Sequence, residues 1–582
     1  MTVRDSAEPQ ARTAAGAVRG RREGSLSVFR GIPFAQPPTG RLRFAAPRPA
    51  VAWDGVREAS AFGSPPPQSG TYGPAPQPSD DNWLTLNVWT PAPDPAARRP
   101  VMVWIYGGAY KVGSADAPGY DGSRLAREGD LVVVTFNYRT GVEGFAQLQG
   151  APANRGLLDQ MAALEWVRDN IAAFGGDPDQ VTVFGQSAGA GSVASLLASP
   201  LAAGLFGRAI AQSVPGIYYS PSLAADIAGA IAAELGLRAA TDDLSGVDPV
   251  RLVAAGDAVD RKLSQYQDRW GRVAHTATPF APVVDGEVLP VTPWQALAAG
   301  DARAVPLIVG HTRDEYRLFL AMSGQLGAIS DERAAQSLRA LGPGPDGEQA
   351  YRAAFPRASA ESLYELVRSD WVFRMPTLHL AQAQAAGQGA AYLYELAWAA
   401  PANGGLLGAC HGLDGPLVFG NLDEGFAARL IGPPPFPAAE EVSAQFRTAW
   451  TRFAATGDPG WPRYDPQRRL TRVFDLPPSV TAYPEEASRL LWQDHLPLPL
   501  PLTSALDPDQ CLRRALDGVP VRQPPLLQVG RVGRRRRRRR HPHHRRVQRP
   551  ESLVDRQRGD LGPDAEVGHP FVRDEQPVGL GQ

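Results

Sequence analysis

Apolar runs and one-sided apolar patterns alternate along residues 100–200 of the chain. The segments 101–106 (VMVWIY), 130–138 (DLVVVTFNY) and 181–185 (VTVFG) are apolar at almost every position. Such runs are typical of parallel strands that are covered on both faces. Between the second and third runs, apolar residues in 156–174 recur at spacings of three and four, which predicts a helix with one buried stripe.

The same alternation continues through most of the chain. We predict a helix of small residues from 187, strands at 305–310 and 391–395, and a mainly helical cap or insertion at 325–385. The first 95 residues are rich in proline and glycine and predict short extended pieces, such as 24–36, joined by turns. Strands that alternate with helices in this order predict an α/β fold.

The pattern ends at about residue 499, where a proline-rich stretch leads to the arginine run 534–540. Residues 501–582 carry 17 basic and 10 acidic side chains, whereas residues 1–500 carry 42 and 50. We therefore expect a single domain over 1–498 and a low-complexity, disordered tail over 499–582. Because the net charge of the whole chain is only −1, we expect no nucleic-acid partner.

Cysteine content and the N-terminal sequence bear on the cellular compartment. The two cysteines, Cys410 and Cys511, cannot form a disulfide framework or a cysteine-built metal site. The start, MTVRDSAEPQ, has no apolar core of the kind found in signal peptides, and no apolar run reaches the ~18 residues that a membrane span needs. We expect a soluble, cytoplasmic monomer with no membrane partner.

The sequence GQSAG at 185–189 joins the third predicted strand to the helix that follows it. G-x-S-x-G alone is a weak signal, but a strand before it and a helix after it are the context of a nucleophile elbow. Cβ atoms at the two glycines would collide with the neighbouring strand and helix. Ser187 is therefore the candidate nucleophile, although a glycine-rich turn with a bystander serine would give the same pattern.

A serine nucleophile needs a histidine base and an acid that orients it. The histidines among residues 1–500 stand at positions 275, 311, 379, 411 and 495. His411, in a glycine-flanked loop, fits the chain order serine, acid, histidine, and His311 is its main competitor. Asp314 and Glu315 both follow the strand at 305–310 and are both candidates for the acid. Asp285 is a third candidate, although a turn aspartate explains it equally well.

Several segments resemble, in order, those of the type-B carboxylesterase and cholinesterase family of α/β-hydrolases. They are FRGIPFAQPPTGRLRF (29–44), LTLNVWTP (84–91), VMVWIYGGAY (101–110), NYRTGVEGF (137–145), NRGLLDQMAALEWVRDNIAAFGGDPDQVTVFGQSAGAGSV (154–193), TPFAPVVDG (278–286), VGHTRDE (309–315) and GACHGLDGPLVFG (408–420). They span about residues 15–495, and the block at 154–193 is highly specific. The resemblance implies an α/β-hydrolase fold, in which helices flank a central, mostly parallel twisted sheet. It also implies a bacterial, para-nitrobenzyl-esterase-like serine carboxylesterase that acts on small-molecule esters without a cofactor or metal.

Carried over position by position, the resemblance makes Ser187 the nucleophile, Glu315 the acid and His411 the base. Ester hydrolysis would then pass through an acyl-enzyme intermediate. The sequence departs from the family pattern in two places near these residues. Tyr316 replaces the usual glycine after the acid, so the local turn must differ. Trp83 stands where the family often has a cysteine that begins a disulfide, which agrees with a reducing compartment.

The same comparison implies an oxyanion hole and two supporting polar positions. Gly108, Ala109 and Ala188 match the residues whose backbone N–H groups bind the oxyanion. Ala109 replaces the glycine usual in the family, but its N–H can still donate. Ser213, in AQSV, and Asp414, three residues after His411, match the supporting positions.

Two other functions are compatible with the same fold. Cholinesterase-like adhesion proteins bind partners without catalysis, but they lose the nucleophile, which is present here. A lipase would need a large apolar lid, and the sequence shows no convincing candidate. Choline esters are not favoured as substrates, because residues 68–82 offer no obvious aromatic site for a quaternary ammonium group.

Overall fold

The computed structural model describes residues 8–70 and 80–503, so most of the tail predicted at 499–582 lies outside the described residues. Within the described residues, eleven strands form a large mixed sheet, and three strands form a second, small sheet that contacts the strand Leu26–Pro33 of the large one. The strands are β1 (Gln10–Arg12), β2 (Ala17–Arg19), β3 (Arg21–Glu23), β4 (Leu26–Pro33), β5 (Val56–Glu58), β6 (Thr85–Thr90), β7 (Arg99–Ile105), β8 (Val132–Phe136), β9 (Gly176–Gln186), β10 (Arg208–Gln212), β11 (Leu307–Thr312), β12 (Ala391–Leu396), β13 (Leu470–Phe474) and β14 (Ser479–Ala482).

Helices connect most of these strands. They are α1 (Ser123–Gly129), α2 (Gly141–Phe145), α3 (Arg155–Asn170), α4 (Ala188–Ala198), α5 (Pro221–Ala233), α6 (Thr241–Leu244), α7 (Pro249–Arg261), α8 (Gln267–Trp270), α9 (Pro293–Ala299), α10 (Arg317–Met322), α11 (Asp331–Leu341), α12 (Gly347–Ala354), α13 (Ala360–Ser369), α14 (Met375–Ala386), α15 (Asp414–Phe419), α16 (Gly425–Ile431), α17 (Pro437–Thr456) and α18 (Glu486–Trp492). A π-helical turn, Asp370–Arg374, joins α13 to α14.

The large sheet has a parallel centre and antiparallel edges. Its order is β14-β13-β12-β11-β10-β9-β7-β8-β6-β4-β3, and all neighbours from β13 to β8 run parallel. The register aligns Gln186 of β9 with Gln212 of β10, and Gln212 with Gly310 of β11. Since the carboxyl ends of parallel strands meet at one edge, the residues that follow these strands lie close together.

Helices cover the sheet on both faces. One group, α4, α9 and α14, packs together against β9 to β12, while α17 packs against β7, β9 and β13 and contacts α1 and α15. Every residue of β6, β8, β11 and β12 is accordingly buried. The prediction of an α/β fold with a mostly parallel, helix-flanked sheet is confirmed.

Most of the predicted elements are present with shifted ends. The strands predicted at 101–106, 130–138, 181–185, 305–310 and 391–395 are β7, β8, β9, β11 and β12, and β9 begins five residues earlier than predicted. The helix predicted at 156–174 is α3 followed by a 3-10 turn, Ile171–Phe174. Residues 325–385 are mainly helical, but α14 packs against β11 and β12, so this segment belongs partly to the flanking layer.

The described end of the chain is bound to the domain. The Leu500 N–H donates to the Tyr218 carbonyl oxygen over 2.7 Å, and the Thr503 N–H donates to the Arg269 carbonyl over 3.1 Å. These two bonds attach residues 500 and 503 to α5 and α8 and their flanking segments. Among the described helices, none combines the length and the apolar character that crossing a membrane requires.

Candidate active site

Ser187 lies in a sharp turn between β9 and α4. Its backbone angles, φ 58° and ψ −124°, are rare for a residue with a side chain and cost about 1–3 kcal/mol. Two hydrogen bonds hold the turn: the Ser187 N–H donates to Gln212 O over 2.8 Å, and the Gly191 N–H donates to Ser187 O over 2.9 Å. The turn presents the Ser187 hydroxyl at the carboxyl edge of the sheet.

The glycines on either side of Ser187 leave room for this turn. A Cβ on Gly185 would lie 2.7 Å from the carbonyl carbon of Gly189 and 2.8 Å from Ile105 O. A Cβ on Gly189 would come within 2.0 Å of Ile105 O. These are the collisions with strand and helix that the sequence predicted, and they show why both positions require glycine.

Ser187, His411 and Glu315 form one hydrogen-bonded chain. His411 Nε2 lies 2.8 Å from Ser187 Oγ, and His411 Nδ1 lies 2.5 Å from Glu315 Oε2. The His411 side chain follows β12 in a long loop, while Glu315 follows β11, so adjacent strand ends bring them together. Of the predicted acids and bases, the structure joins these two to the serine.

Both oxygens of the Glu315 carboxylate are occupied. Oε1 accepts the backbone N–H of Thr312 over 2.9 Å, and the residue is fully buried. Burial by itself would raise the pKa of Glu315, but attraction to His411 and hydrogen bonding with His411, Ser213 and the Thr312 backbone lower it below its ordinary value. The carboxylate therefore stays ionised at neutral pH.

The competing carboxylates are bound elsewhere. Asp314 Oδ2 accepts the backbone N–H of Ala409 over 2.8 Å and lies 3.5 Å from the Arg313 guanidinium. Asp285 Oδ1 accepts the backbone N–H of Leu289 over 2.9 Å, as a turn aspartate does. Asp314 therefore anchors the loop that carries His411, and Asp285 stabilises its own turn.

The competing histidines are buried in the core. His311, in β11, has Nδ1 2.9 Å from Thr312 O and Nε2 2.9 Å from the Tyr483 hydroxyl. Burial lowers the pKa of His311 and of His379 to about 4 in each case. Both rings are therefore neutral components of the core at ordinary pH.

The backbone N–H groups of Gly108, Ala109 and Ala188 have no hydrogen-bond acceptor in the described part of the chain. Ala188 begins α4, where the first N–H groups have no partner inside the helix. Gly108 and Ala109 have φ values of 116° and 56°. Their loop runs close to the nucleophile, since a Cβ on Gly107 would lie 3.0 Å from Ser187 Cβ.

Ser213 and Asp414 lie at different places around the hydrogen-bonded residues Ser187, His411 and Glu315. Ser213 follows β10 with φ 60°, and its hydroxyl helps to lower the pKa of Glu315. Asp414 is buried at the start of α15, where it accepts the Tyr394 hydroxyl over 2.8 Å. Burial raises the pKa of Asp414. Asp414 therefore ties the segment after His411 to β12.

Three neighbours of His411 were not identified from the sequence. Gln186 Nε2 lies 3.2 Å from His411 Nε2, and the ring centroids of Phe373 and Phe319 lie 4.2 and 5.3 Å from that of the imidazole. Gln186 could have been found, because it stands next to Ser187 in GQSAG. Phe373 lies in the π-helical turn and carries no local sequence signal.

The two departures from the family pattern are accommodated locally. Tyr316 has an ordinary φ of −83°, donates its N–H to Ser369 Oγ over 2.9 Å, and packs its ring 5.0 Å from that of Phe319. Trp83 is buried, at 2% exposure. Neither substitution disturbs the hydrogen bonds of the site.

The model of the carboxylesterase family matches residues 7–478. The para-nitrobenzyl esterase of Bacillus subtilis (strain 168) is 37% identical over 493 residues, which cover 82% of this chain and 97% of that protein. The phenmedipham hydrolase of Pseudarthrobacter oxydans is 36% identical over 467 residues, which cover 78% and 90%. A crystal structure of a Geobacillus stearothermophilus carboxylesterase at pH 6.2 matches with a TM-score of 0.74 and 36% identity, covering 83% of this chain and 100% of that one.

Proposed function

Since the chain belongs to the carboxylesterase family and is a type-B carboxylic ester hydrolase, we propose that Ser187, His411 and Glu315 carry out the hydrolysis. The observation that carries this proposal is the continuous chain of contacts from Ser187 Oγ through the imidazole to the buried carboxylate. The similarity to esterases supports ester hydrolysis over the alternatives of a non-catalytic binding protein or a lipase.

Acylation begins when Ser187 Oγ attacks the carbonyl carbon of the ester. His411 Nε2 takes the hydroxyl proton as the new C–O bond forms. Glu315 accepts the Nδ1–H, which keeps the Nε2 lone pair directed at the serine and stabilises the imidazolium. His411 then gives the proton to the leaving alcohol as the ester C–O bond breaks, and an acyl-serine remains.

The negative charge of the tetrahedral intermediate is bound by the N–H groups of Gly108, Ala109 and Ala188. Removing one such donor typically costs about 3–4 kcal/mol of transition-state stabilisation. The N-terminus of α4 adds its positive dipole end at the same place. The unusual φ values at Gly108 and Ala109 aim these donors without any rearrangement during the reaction.

Deacylation repeats the cycle with water in place of the alcohol. His411 takes one proton of the water as the oxygen attacks the acyl carbonyl, and the oxyanion returns to the same three N–H groups. The proton passes to Ser187 Oγ as the acyl–serine bond breaks. The products are a carboxylic acid, an alcohol and the free enzyme.

We further propose a bacterial, cytoplasmic and monomeric enzyme that acts on small neutral esters. The chain is 37% identical in sequence to a para-nitrobenzyl esterase. The first substrates to assay are therefore p-nitrobenzyl and p-nitrophenyl esters, in a series of increasing acyl length. Phenmedipham is a second test substrate, from the name of another relative. Trp83 in place of a disulfide cysteine supports a reducing compartment.

The nucleophile is tested with Ser187→Ala and with Ser222→Ala, a surface serine of α5, as its control. We expect Ser187→Ala to lose p-nitrophenyl acetate hydrolysis and covalent labelling by a fluorophosphonate, with an unchanged circular dichroism spectrum. Ser222→Ala should keep both. Labelling that persists at another serine in the first variant would refute the assignment.

A further inference from the structure

The turn that carries two of the three oxyanion donors has an unusual backbone. Gly108, Ala109 and Tyr110 have consecutive φ values of 116°, 56° and 57°. Residues that carry a side chain rarely adopt positive φ values, so alanine and tyrosine do not favour the turn by themselves. Gly108 is required, since a Cβ there would come within 2.0 Å of Val112 O. Contacts from outside the turn must hold it in this shape.

The side chain of Gln68 holds the C-terminal end of the turn. Gln68 Nε2 donates to Gly113 O over 2.9 Å, and the Gly113 N–H donates to Gln68 Oε1 over 2.8 Å. Inside the turn, the Lys111 N–H donates to Gly108 O over 3.0 Å. Lys111 is thus bonded directly to the residue that supplies one oxyanion donor, and the position of its side chain bears on that donor.

The side chain of Lys111 leaves the turn and reaches α7. Its Nζ lies 2.6 Å from Asp260 Oδ2 and 2.8 Å from Asp257 Oδ1. The two aspartates are three residues apart and therefore share one face of the helix. All three side chains are about one-fifth exposed, at 20%, 21% and 21%. A helix outside the central sheet is thereby joined to the turn at residues 108–113, here called the oxyanion turn.

The two carboxylates on α7 require the positive charge of Lys111. Two carboxylates face a single ammonium group, so removing the lysine would leave like charges side by side in a largely buried place. Burial disfavours the charged ammonium, but hydrogen bonds to Asp257 and Asp260 outweigh this effect and raise the pKa of Lys111. The ammonium group of Lys111 therefore stays charged at neutral pH.

We propose that Lys111, Asp257 and Asp260 form a clamp that positions the N–H groups of Gly108 and Ala109 for the oxyanion. The proposal rests on the proposed function, because it needs these groups to be oxyanion donors. The three residues act through the turn and are positioning residues. Loss of the clamp should therefore weaken binding of the transition state more than binding of the ester.

The chain offers a matched control. Lys262, the other of its two lysines, pairs with Glu234 over 2.7 Å and makes no contact with the oxyanion turn in the described residues. Lys111→Met and Lys262→Met each remove one ammonium group and keep an unbranched side chain that is one atom shorter. A general effect of losing a lysine ion pair would appear equally in both variants.

Two readouts separate positioning from stability. The first is kcat and KM for p-nitrophenyl acetate. The second is inhibition by an aryl-alkyl trifluoromethyl ketone, which adds Ser187 Oγ to its carbonyl and leaves an oxyanion. We expect Lys111→Met to lower kcat about 10- to 50-fold, with KM within about threefold, and to weaken inhibition in proportion. Lys111→Arg should recover much of the loss, and Asp257→Asn with Asp260→Asn should reproduce part of it.

Equal effects of Lys111→Met and Lys262→Met, or a lower kcat with unchanged inhibition, would overturn the clamp. If Lys111→Met does not fold, the single variants Asp257→Asn and Asp260→Asn take its place. The clamp then requires that kcat and inhibition by the trifluoromethyl ketone fall together in these variants. Failure of the proposed function is distinguished by fluorophosphonate labelling of the unaltered enzyme. Labelled Ser187 with an indifferent Lys111 refutes the clamp alone, whereas an unlabelled Ser187 refutes the catalytic assignment.

Discussion

Replacing Glu315 by glutamine tests most sharply whether Glu315 is the acid that orients His411, because each of its carboxylate oxygens accepts from a different donor. Oε1 accepts the Thr312 N–H over 2.9 Å, and Oε2 lies 2.5 Å from His411 Nδ1. An amide has the same shape but only one accepting oxygen. Since Glu315 is fully buried, water cannot supply the missing partner. Glutamine must therefore break one of the two bonds.

Both orientations of the amide are unfavourable for catalysis. If its oxygen faces His411, its NH2 group opposes the Thr312 N–H, which costs about 1–3 kcal/mol for a buried, unsatisfied donor. If its oxygen faces Thr312, its NH2 group donates to Nδ1, and the proton moves to Nε2. His411 then has no lone pair for Ser187.

In either orientation the imidazolium also loses the negative charge that stabilises it. Adding about 3 kcal/mol for that loss gives about 5 kcal/mol, or a decrease in kcat of about 10³- to 10⁴-fold. The assay is kcat for p-nitrophenyl acetate at neutral and alkaline pH, with melting temperatures as a check on folding. Asp314→Asn is the matched control, since Asp314 is adjacent but accepts from Ala409, and we expect it to cost less than about tenfold. Comparable losses in the two variants, or a Glu315→Gln enzyme within about tenfold of the original, would refute the reasoning.

Two further predictions concern pH and substrate range. Burial raises the pKa of Glu365 from 4.5 to about 7, so between these pH values the folded protein binds one proton more than the unfolded chain. The contribution of this proton to the free energy of unfolding is complete below about pH 4.5. It is lost as pH rises through about 7, by up to about 3 kcal/mol. Glu365→Gln should therefore melt above the original protein near pH ~8 and close to it near pH ~5, and a melting difference independent of pH would contradict this account. The small side chain of Ala109 should permit slow hydrolysis of tert-butyl acetate that requires Ser187. Ala109 has φ 56°, where a β-branched residue is strained, so the unbranched Ala109→Met is the better bulky variant. It should reduce hydrolysis of tert-butyl acetate more than hydrolysis of ethyl acetate. Equal losses of the two activities would exclude a steric cause.

The elements that the sequence predicted well are those whose own residues decide their structure. β7, β8, β11 and β12 consist mainly of apolar residues, and burial on both faces of the sheet explains this composition. β10 was missed because its apolar run is only three residues long, between Arg208 and Gln212. Its strand conformation comes from its pairing with β9 and β11 on either side, which a local pattern cannot reveal.

The acid shows where residue spacing reaches its limit. Asp314 and Glu315 follow the same strand and are adjacent, so spacing could not separate them, and the family resemblance selected Glu315. The structure supplies the physical reason. Asp314 forms an isolated bridge with Cys410 and accepts the Ala409 N–H, whereas Glu315 lies in the turn that follows and contacts His411.

The residues proposed to position the oxyanion donors were harder to find than the residues proposed for catalysis. Ser187 carries its signal in the turn it occupies, because only glycine fits on either side. Lys111 and Asp260 carry none: they are 149 residues apart and meet only because α7 packs beside the oxyanion turn. Yet the φ of 56° at Ala109 shows that this turn is not favoured by its own residues. Where a functional backbone is strained, its stabilising contacts must come from elsewhere in the chain, and such contacts become visible only when the chain is folded.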